Sequence, residues 1–387
     1  MEAVQELVQQ LHAHASCGVL SMTGGGSAGL ADLLCVPGAS NTILEAIVPY
    51  AHQSLVDWLG YRPDQSCCAQ TALQMATRAL ARAEELTHGS REARPLWGLG
   101  VTAALASSRP KKGEHRAFVA IHQPHQSGLL KVVFAKGKRT RGQEEELLGQ
   151  LIIQQLASSL GINTQLHPQQ LGLTDDDQWQ QLQAGGETRM PVMNSSDHPV
   201  SWWDVSQQQP GEAPAEIRGL LSGSFNPLHR AHQELFALAK DRLGGGVFYE
   251  LSLHNADKPA IDYLSLQKRL SQFQQQHVLL SRLSTFMEKA EQFPQTVFVI
   301  GADTAVRVLQ KKFYRNSETQ MNNALHRIAE HGCRFLVAAR PMNGSILSLG
   351  ECEIPTAFRD LFEAIPQEDF LLDFSSTQLR AEHQFEL

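Results

Sequence analysis

The stretch that most constrains this chain is residues 217–240. Residues 217–221 are a short apolar run of the kind that forms a buried strand. Ser222, Gly223 and Ser224 then turn the chain with almost no side-chain bulk, which lets backbone approach a ligand closely. Asn226 and Pro227 mark a turn. From His229 onward the apolar residues fall at helical spacing, with Leu235, Phe236, Leu238 and Ala239 on one face. His229 and His232 share one side of the first helical turn. Two imidazoles beside a helix N-terminus, after a small-residue turn at a strand end, suit a phosphate group. An ordinary strand, turn and helix with two surface histidines is the competing interpretation.

A chain of 387 residues is long enough for two domains, each with a core of ordinary size. The net charge of −7 argues against a nonspecific nucleic-acid binder, which needs a basic face. No apolar run approaches the ~20 residues that span a bilayer. The first residues, without a positive leader, read as an amphipathic helix and not as a signal peptide. The 6 cysteines show neither a C-x-x-C pair nor metal-like spacing, so reduced thiols and a cytoplasmic location are expected.

Residues 1–160 alternate helical and strand-like patterns, as in an α/β layer domain. Strands are expected at 18–22, 43–48, 96–105, 116–122 and 129–135, with long helices at 66–86 and 142–160. A glycine-rich turn, Thr23-Gly24-Gly25-Gly26-Ser27, follows the first strand; its N–H groups could cradle a phosphate, with Ser21, Thr23 or Ser27 beside it, or simply form a tight turn. The loop at 109–116 is basic and meets either an anion or solvent. Residues 161–214 are rich in Gln, Asp, Gly and Pro and read as a connector, although Trp179, Trp202 and Trp203 imply that part of it packs.

Residues 215–387 return to apolar runs separated by helices, the pattern of parallel βαβ units in a doubly wound, Rossmann-like sheet. Strands are expected at 246–253, 296–300, 334–339 and 370–374, with helices at 264–274 and 284–292 and an apolar segment at 278–280. Ligands bind such sheets at the carboxyl ends of the strands. Polar residues fall there: Gly223 and Ser224, Lys258, Asp303, and finally Ser375, Ser376, Thr377 and Arg380.

Gly223-Ser224-Phe225-Asn226-Pro227-x-His229-x-x-His232, Gly301-Ala302-Asp303 and Ser375-Ser376-Thr377-x-x-Arg380 together resemble the nucleotidylyltransferase superfamily, especially the nicotinamide and nicotinic acid mononucleotide adenylyltransferases. Ala231 stands where glycine is commoner, and the chain ends soon after Arg380. The resemblance implies nucleotidylyl transfer from ATP, with Mg2+, to a phosphorylated acceptor. His229, His232 and Arg380 would act on the phosphates. Gly223, Ser224, Phe225, Asn226, Ser375, Ser376, Thr377 and Lys258 would line the nucleotide, and Asp303 would read ribose or ring. The first half resembles the C-terminal deamidase domain of the competence-damage (CinA) family through Ser21-Met22-Thr23-Gly24-Gly25, Pro37-Gly38-Ala39-Ser40 and Val48-Pro49-Tyr50. That resemblance implies a reactive position at Ser21 and a pocket lined by Thr23, Gly24, Gly25 and Tyr50. Leu20 replaces the family's glutamate, and no base for Ser21 is identifiable, so this half is expected to keep the fold with its chemistry lost or changed.

The expected partners are a nucleoside triphosphate and a phosphorylated small-molecule acceptor, with neither nucleic acid nor membrane; assembly of identical copies is left open. The favoured acceptor is a pyridine mononucleotide, as in NAD biosynthesis. The alternatives are cytidylyl or adenylyl transfer to another phosphorylated acceptor, or a non-catalytic nucleotide-binding protein.

Overall fold

The computed structural model describes residues 2–89, 93–108, 112–163, 168–185, 199–254, 260–274, 277–342 and 345–370. The described residues divide into two compact units, 2–185 with 260–267, and 199–254 with 268–370. Both are mixed α/β.

The first unit runs α1 (Glu2–Ala13), β1 (Cys17–Thr23), α2 (Ser27–Cys35), α3 (Ala39–Thr42), β2 (Ile43–Ile47), α4 (His52–Leu59), α5 (Ala69–Thr87), β3 (Leu96–Ala104), β4 (His115–Gln123), β5 (Gln126–Phe134), α6 (Arg141–Ser159) and β6 (Gln178–Gly185). Its sheet has the order β2-β1-β3-β4-β5-β6. The β2-β1-β3 part is parallel and the remainder antiparallel. Alternation along β1 sends Leu20 and Met22 into a core with Leu11, Leu33, Leu148 and Ile152, from α1, α2 and α6. Val19 meets Ala79 and Ala83 of α5 on the opposite face. Helices α2 and α6 touch at Gly29 and Gly149, where a Cβ on Gly149 would lie 2.6 Å from the Gly29 nitrogen. Only glycine permits that approach, and it brings Glu145, one turn before Gly149, to the start of α2.

The second unit runs β7 (Val200–Asp204), β8 (Gln209–Gly211), β9 (Gly219–Gly223), α7 (Arg230–Leu243), β10 (Val247–Ser252), then α8 (Tyr263–Leu270), of which only the last three residues belong to it. It continues with β11 (His277–Ser281), α9 (Phe286–Gln292), β12 (Val297–Gly301), α10 (Ala302–Val308), α11 (Glu318–Glu330), β13 (Arg334–Ala338), the short hairpin β14 (Arg340–Met342) and β15 (Ser345–Leu347), and β16 (Phe362–Ala364). The sheet order is β16-β13-β12-β9-β10-β11-β7-β8. From β16 to β11 every pair is parallel; β7 and β8 add an antiparallel edge. Numbered along the chain, the parallel strands from β11 to β16 lie in the order 3-2-1-4-5-6, and the direction of winding reverses between β9 and β12. Phe298 and Phe335 pack with Leu325 and Ile328 of α11 on one face. Tyr249 stacks on Phe236 of α7 at 4.2 Å on the other.

Three expectations change. The connector supplies strands: Trp179 lies in β6, and Trp202 and Trp203 lie in β7, paired with β11. β6 is a polar edge strand with little apolar alternation, whereas β7 lies between β11 and β8 and its adjacent tryptophans are both buried, which alternation does not reveal. Ser222 and Gly223 continue β9, and the turn begins at Ser224. The helix expected at 284–292 begins at Phe286, capped by Thr285, whose hydroxyl accepts the Glu288 N–H while Glu288 reaches back. The strand expected at 370–374 falls, apart from Phe370, outside the described residues, as do Lys258, Ser375, Ser376, Thr377 and Arg380.

Candidate functional site

The carboxyl ends of β9 and β12, on either side of the reversal, carry the polar cluster of the second unit. In parallel sheets this is where diverging connections leave a crevice. At the end of β9, a Cβ on Gly223 would meet the Phe225 ring at 2.8 Å, so the ring folds directly under the backbone. Phe225 holds φ +45°, a left-handed conformation uncommon outside glycine, and the Asn226–Pro227 bond is cis. The ring is buried edge-on against Tyr249 at 5.3 Å, Phe273 at 5.5 Å and the imidazole of His232 at 5.1 Å. Gln272 fastens the loop, accepting the Leu228 N–H at 2.8 Å and donating to the Phe225 carbonyl at 3.0 Å. Arg269 donates to the Ser224 carbonyl and hydroxyl at 3.1 and 3.0 Å.

His229 is the N-cap of α7, and its ring stacks on that of His232 with centroids 3.8 Å apart. His232 Nδ1 accepts the His229 backbone N–H at 3.3 Å, which leaves Nε2 to carry its proton. His229 is 9% exposed, and among the described residues neither of its ring nitrogens has a partner. A buried imidazole with two unused polar atoms is costly unless something fills the site. Burial holds both imidazoles below their usual pKa, and Arg340 lowers them further; for His232, burial, His229 and Arg340 together push it down to about 3. Both rings are therefore neutral donors at physiological pH.

Across the reversal, Asp303 lies in the first turn of α10, and its two carboxylate oxygens each accept from Arg340 Nη1 at 3.0 Å. Asp303 is thus paired with a cation. Arg340 follows the end of β13 and is a site residue that sequence reasoning missed. Its signal was available: a lone arginine directly after a buried strand, the same criterion that selected Asp303. Of the candidates from the second half, the structure brings together Gly223, Phe225, His229 and His232, and sets Asp303 with Arg340.

The first unit has its own cavity of about 360 Å3, lined by Met22, Gly24, Gly25, Ser27, Val48, Tyr50, Arg141, Gly142 and Glu145. Gly24, Gly25 and Tyr50 line it, and Thr23 does not. Ser21 does not line this cavity: it is fully buried on the Val19 face of β1, and its hydroxyl has no partner among the described residues. The α2 N-terminus is already filled, because Glu145 Oε1 accepts the Gly26 N–H at 2.8 Å, the Ser27 N–H at 2.6 Å and the Ser27 hydroxyl at 2.7 Å. A carboxylate of the chain occupies the N–H groups that could otherwise have cradled a phosphate.

No family model and no curated protein sequence matches this chain. Among solved structures it is similar to the competence/damage-inducible protein CihA from Agrobacterium tumefaciens, at 17% identity and TM-score 0.33, over 41% of this chain and 96% of that one. It is similar also to a competence-damaged protein (CinA) superfamily member from Escherichia coli, at 17% identity and TM-score 0.33, over 41% of this chain and 88% of that one. A competence or damage-inducible protein from Enterobacter asburiae matches at 12% identity and TM-score 0.33, over 41% of this chain and 98% of that one. Likenesses this slight carry no inference about activity.

Proposed function

We propose that the second unit is a nucleotidylyltransferase of Rossmann-like type, transferring AMP from ATP to a pyridine mononucleotide with release of pyrophosphate. The observation that carries this reading is the buried, unpartnered His229 imidazole stacked on His232 at the start of α7, beside the reversal in strand order. A phosphate oxygen of the acceptor attacks the α-phosphorus, the bond to the bridging oxygen breaks, and pyrophosphate leaves. The protein needs no nucleophile; it aligns the groups and stabilises negative charge as it develops. His229 and His232 donate hydrogen bonds to the α- and β-phosphates, and the α7 N-terminus adds its dipole. Mg2+ arrives with the triphosphate. Lys258, Ser375, Ser376, Thr377 and Arg380 enter this scheme through the sequence resemblance alone.

For the first unit, we infer a deamidase-like fold that does not use Ser21 as a nucleophile, because the Ser21 hydroxyl is buried away from the cavity without a base.

The test is pyrophosphate release by the full chain with Mg2+ and ATP or CTP, against nicotinamide mononucleotide and nicotinic acid mononucleotide. Release that requires one mononucleotide, yields the matching dinucleotide and falls by about a hundredfold or more in His232→Ala is expected. Release only with CTP, or with neither mononucleotide in a folded protein, contradicts the adenylyl reading.

A further inference from the structure

We infer that the positive charge facing a bound phosphate chain at the His229–His232 site comes from Arg340, with Asp303 as the residue that positions it. This rests on the reading of that site as a phosphate site and adds a residue to it. The His229 and His232 centroids are 3.8 Å apart, a separation at which two imidazolium rings would repel strongly. His229 is buried, with no carboxylate bonded to either ring nitrogen to balance a charge. The depressed pKa values of both rings agree. The imidazoles can donate hydrogen bonds but cannot neutralise an anion.

Arg340 can. It acts on both imidazoles electrostatically, so it lies within range of whatever they bind. Its contact with Asp303 uses Nη1 alone. A guanidinium carries five N–H groups in a rigid fork. Among the described residues no acceptor meets Nε or Nη2, which leaves one edge of the fork for an anion. Asp303 fixes the orientation through both carboxylate oxygens and cancels only part of the charge, the pair being about one-third exposed. The three groups come from the ends of neighbouring strands: His229 after β9, Asp303 after β12 and Arg340 after β13. Arg340 therefore contacts substrate phosphate, whereas Asp303 acts through Arg340.

The experiment is calorimetric titration of the full chain with inorganic tripolyphosphate, for the wild type and for Arg340→Gln, Arg340→Lys, Asp303→Asn and His229→Ala. The expected result is a loss of about tenfold or more in affinity in Arg340→Gln and a smaller loss in Arg340→Lys, which keeps the charge but not the fork. Asp303→Asn falls between the two. Wild-type affinity should not fall from about pH 7.5 to pH 9, because an arginine keeps its charge there while tripolyphosphate only gains negative charge. Among the described residues, Arg340 and the other ring of the stack are the groups that act on each imidazole in that comparison. Affinity that drops about tenfold across this range would place the charge on a histidine and overturn the inference without any variant. Tripolyphosphate binding abolished in His229→Ala yet unchanged in Arg340→Gln overturns it while leaving the phosphate site standing. No binding by the folded wild type removes the phosphate site and this inference with it.

Discussion

Gly223 sits under a tight steric limit at the second unit's site. A methyl group there would press on the Phe225 ring at 2.8 and 2.9 Å, and that ring is already enclosed by Tyr249, Phe273 and His232. Gly223→Ala should therefore cost about 1–3 kcal/mol in urea unfolding, the range for an overpacked core. A cost below about 0.5 kcal/mol, that of an ordinary surface change, would mean that the ring yields freely. Residues such as Gly223, His229 and His232 were legible in the sequence because their roles are set by neighbours a few positions away. Arg340 and Glu145 were not, because their meaning lies in partners far along the chain. Arg340 pairs with a residue 37 positions away, and Glu145 caps a helix 118 positions away. Glu145 looks locally like one of a run of acids near the start of α6, and its actual task appears only once Gly29 and Gly149 have brought two helices together.

At the scale of elements, buried strands and long amphipathic helices could be read from sequence, whereas polar edges could not. Strands β6, β7 and β8 lie where the sequence reads as a connector, since β6 and β8 are polar edges and β7 is short, with adjacent buried tryptophans instead of an alternating pattern. The amphipathic helix α11, with Met321, Ala324, Leu325 and Ile328 buried, was also not anticipated. The turn leading into β6 is held by Asp177, which is buried and accepts from the Ala135 N–H, the Thr174 N–H and hydroxyl, and Arg139. Burial alone would raise its pKa, but the Arg139 guanidinium and the two backbone N–H groups outweigh it and hold the carboxyl well below the usual range. A depressed folded-state pKa stabilises the fold at pH values above the unfolded value of about 3.9, and the contribution fades as pH falls through that value toward the folded one. Asp177→Asn should thus be less stable than wild type in urea at neutral pH, with the gap narrowing below about pH 4. A gap that stays the same width down to about pH 3 would show that the charge of Asp177 is not what holds the turn.

For the whole molecule, two α/β units each present a place suited to small anionic or polar ligands, and the two differ in how they are filled. In the first, Glu145 already takes the N–H groups of the helix start. In the second, the helix start carries a buried imidazole with both nitrogens unused. That contrast is the reason the proposed nucleotide site is the one in the second unit and not the cavity beside Tyr50. The most direct test is a crystal structure of the full chain with Mg2+ and α,β-methylene ATP, a nucleotide that cannot release pyrophosphate. The expected result is the α- and β-phosphates within hydrogen-bond distance of His229 and His232, with Arg340 on the phosphate chain. Nucleotide in the first unit's cavity, with the two histidines bare, would contradict the proposed function at its root.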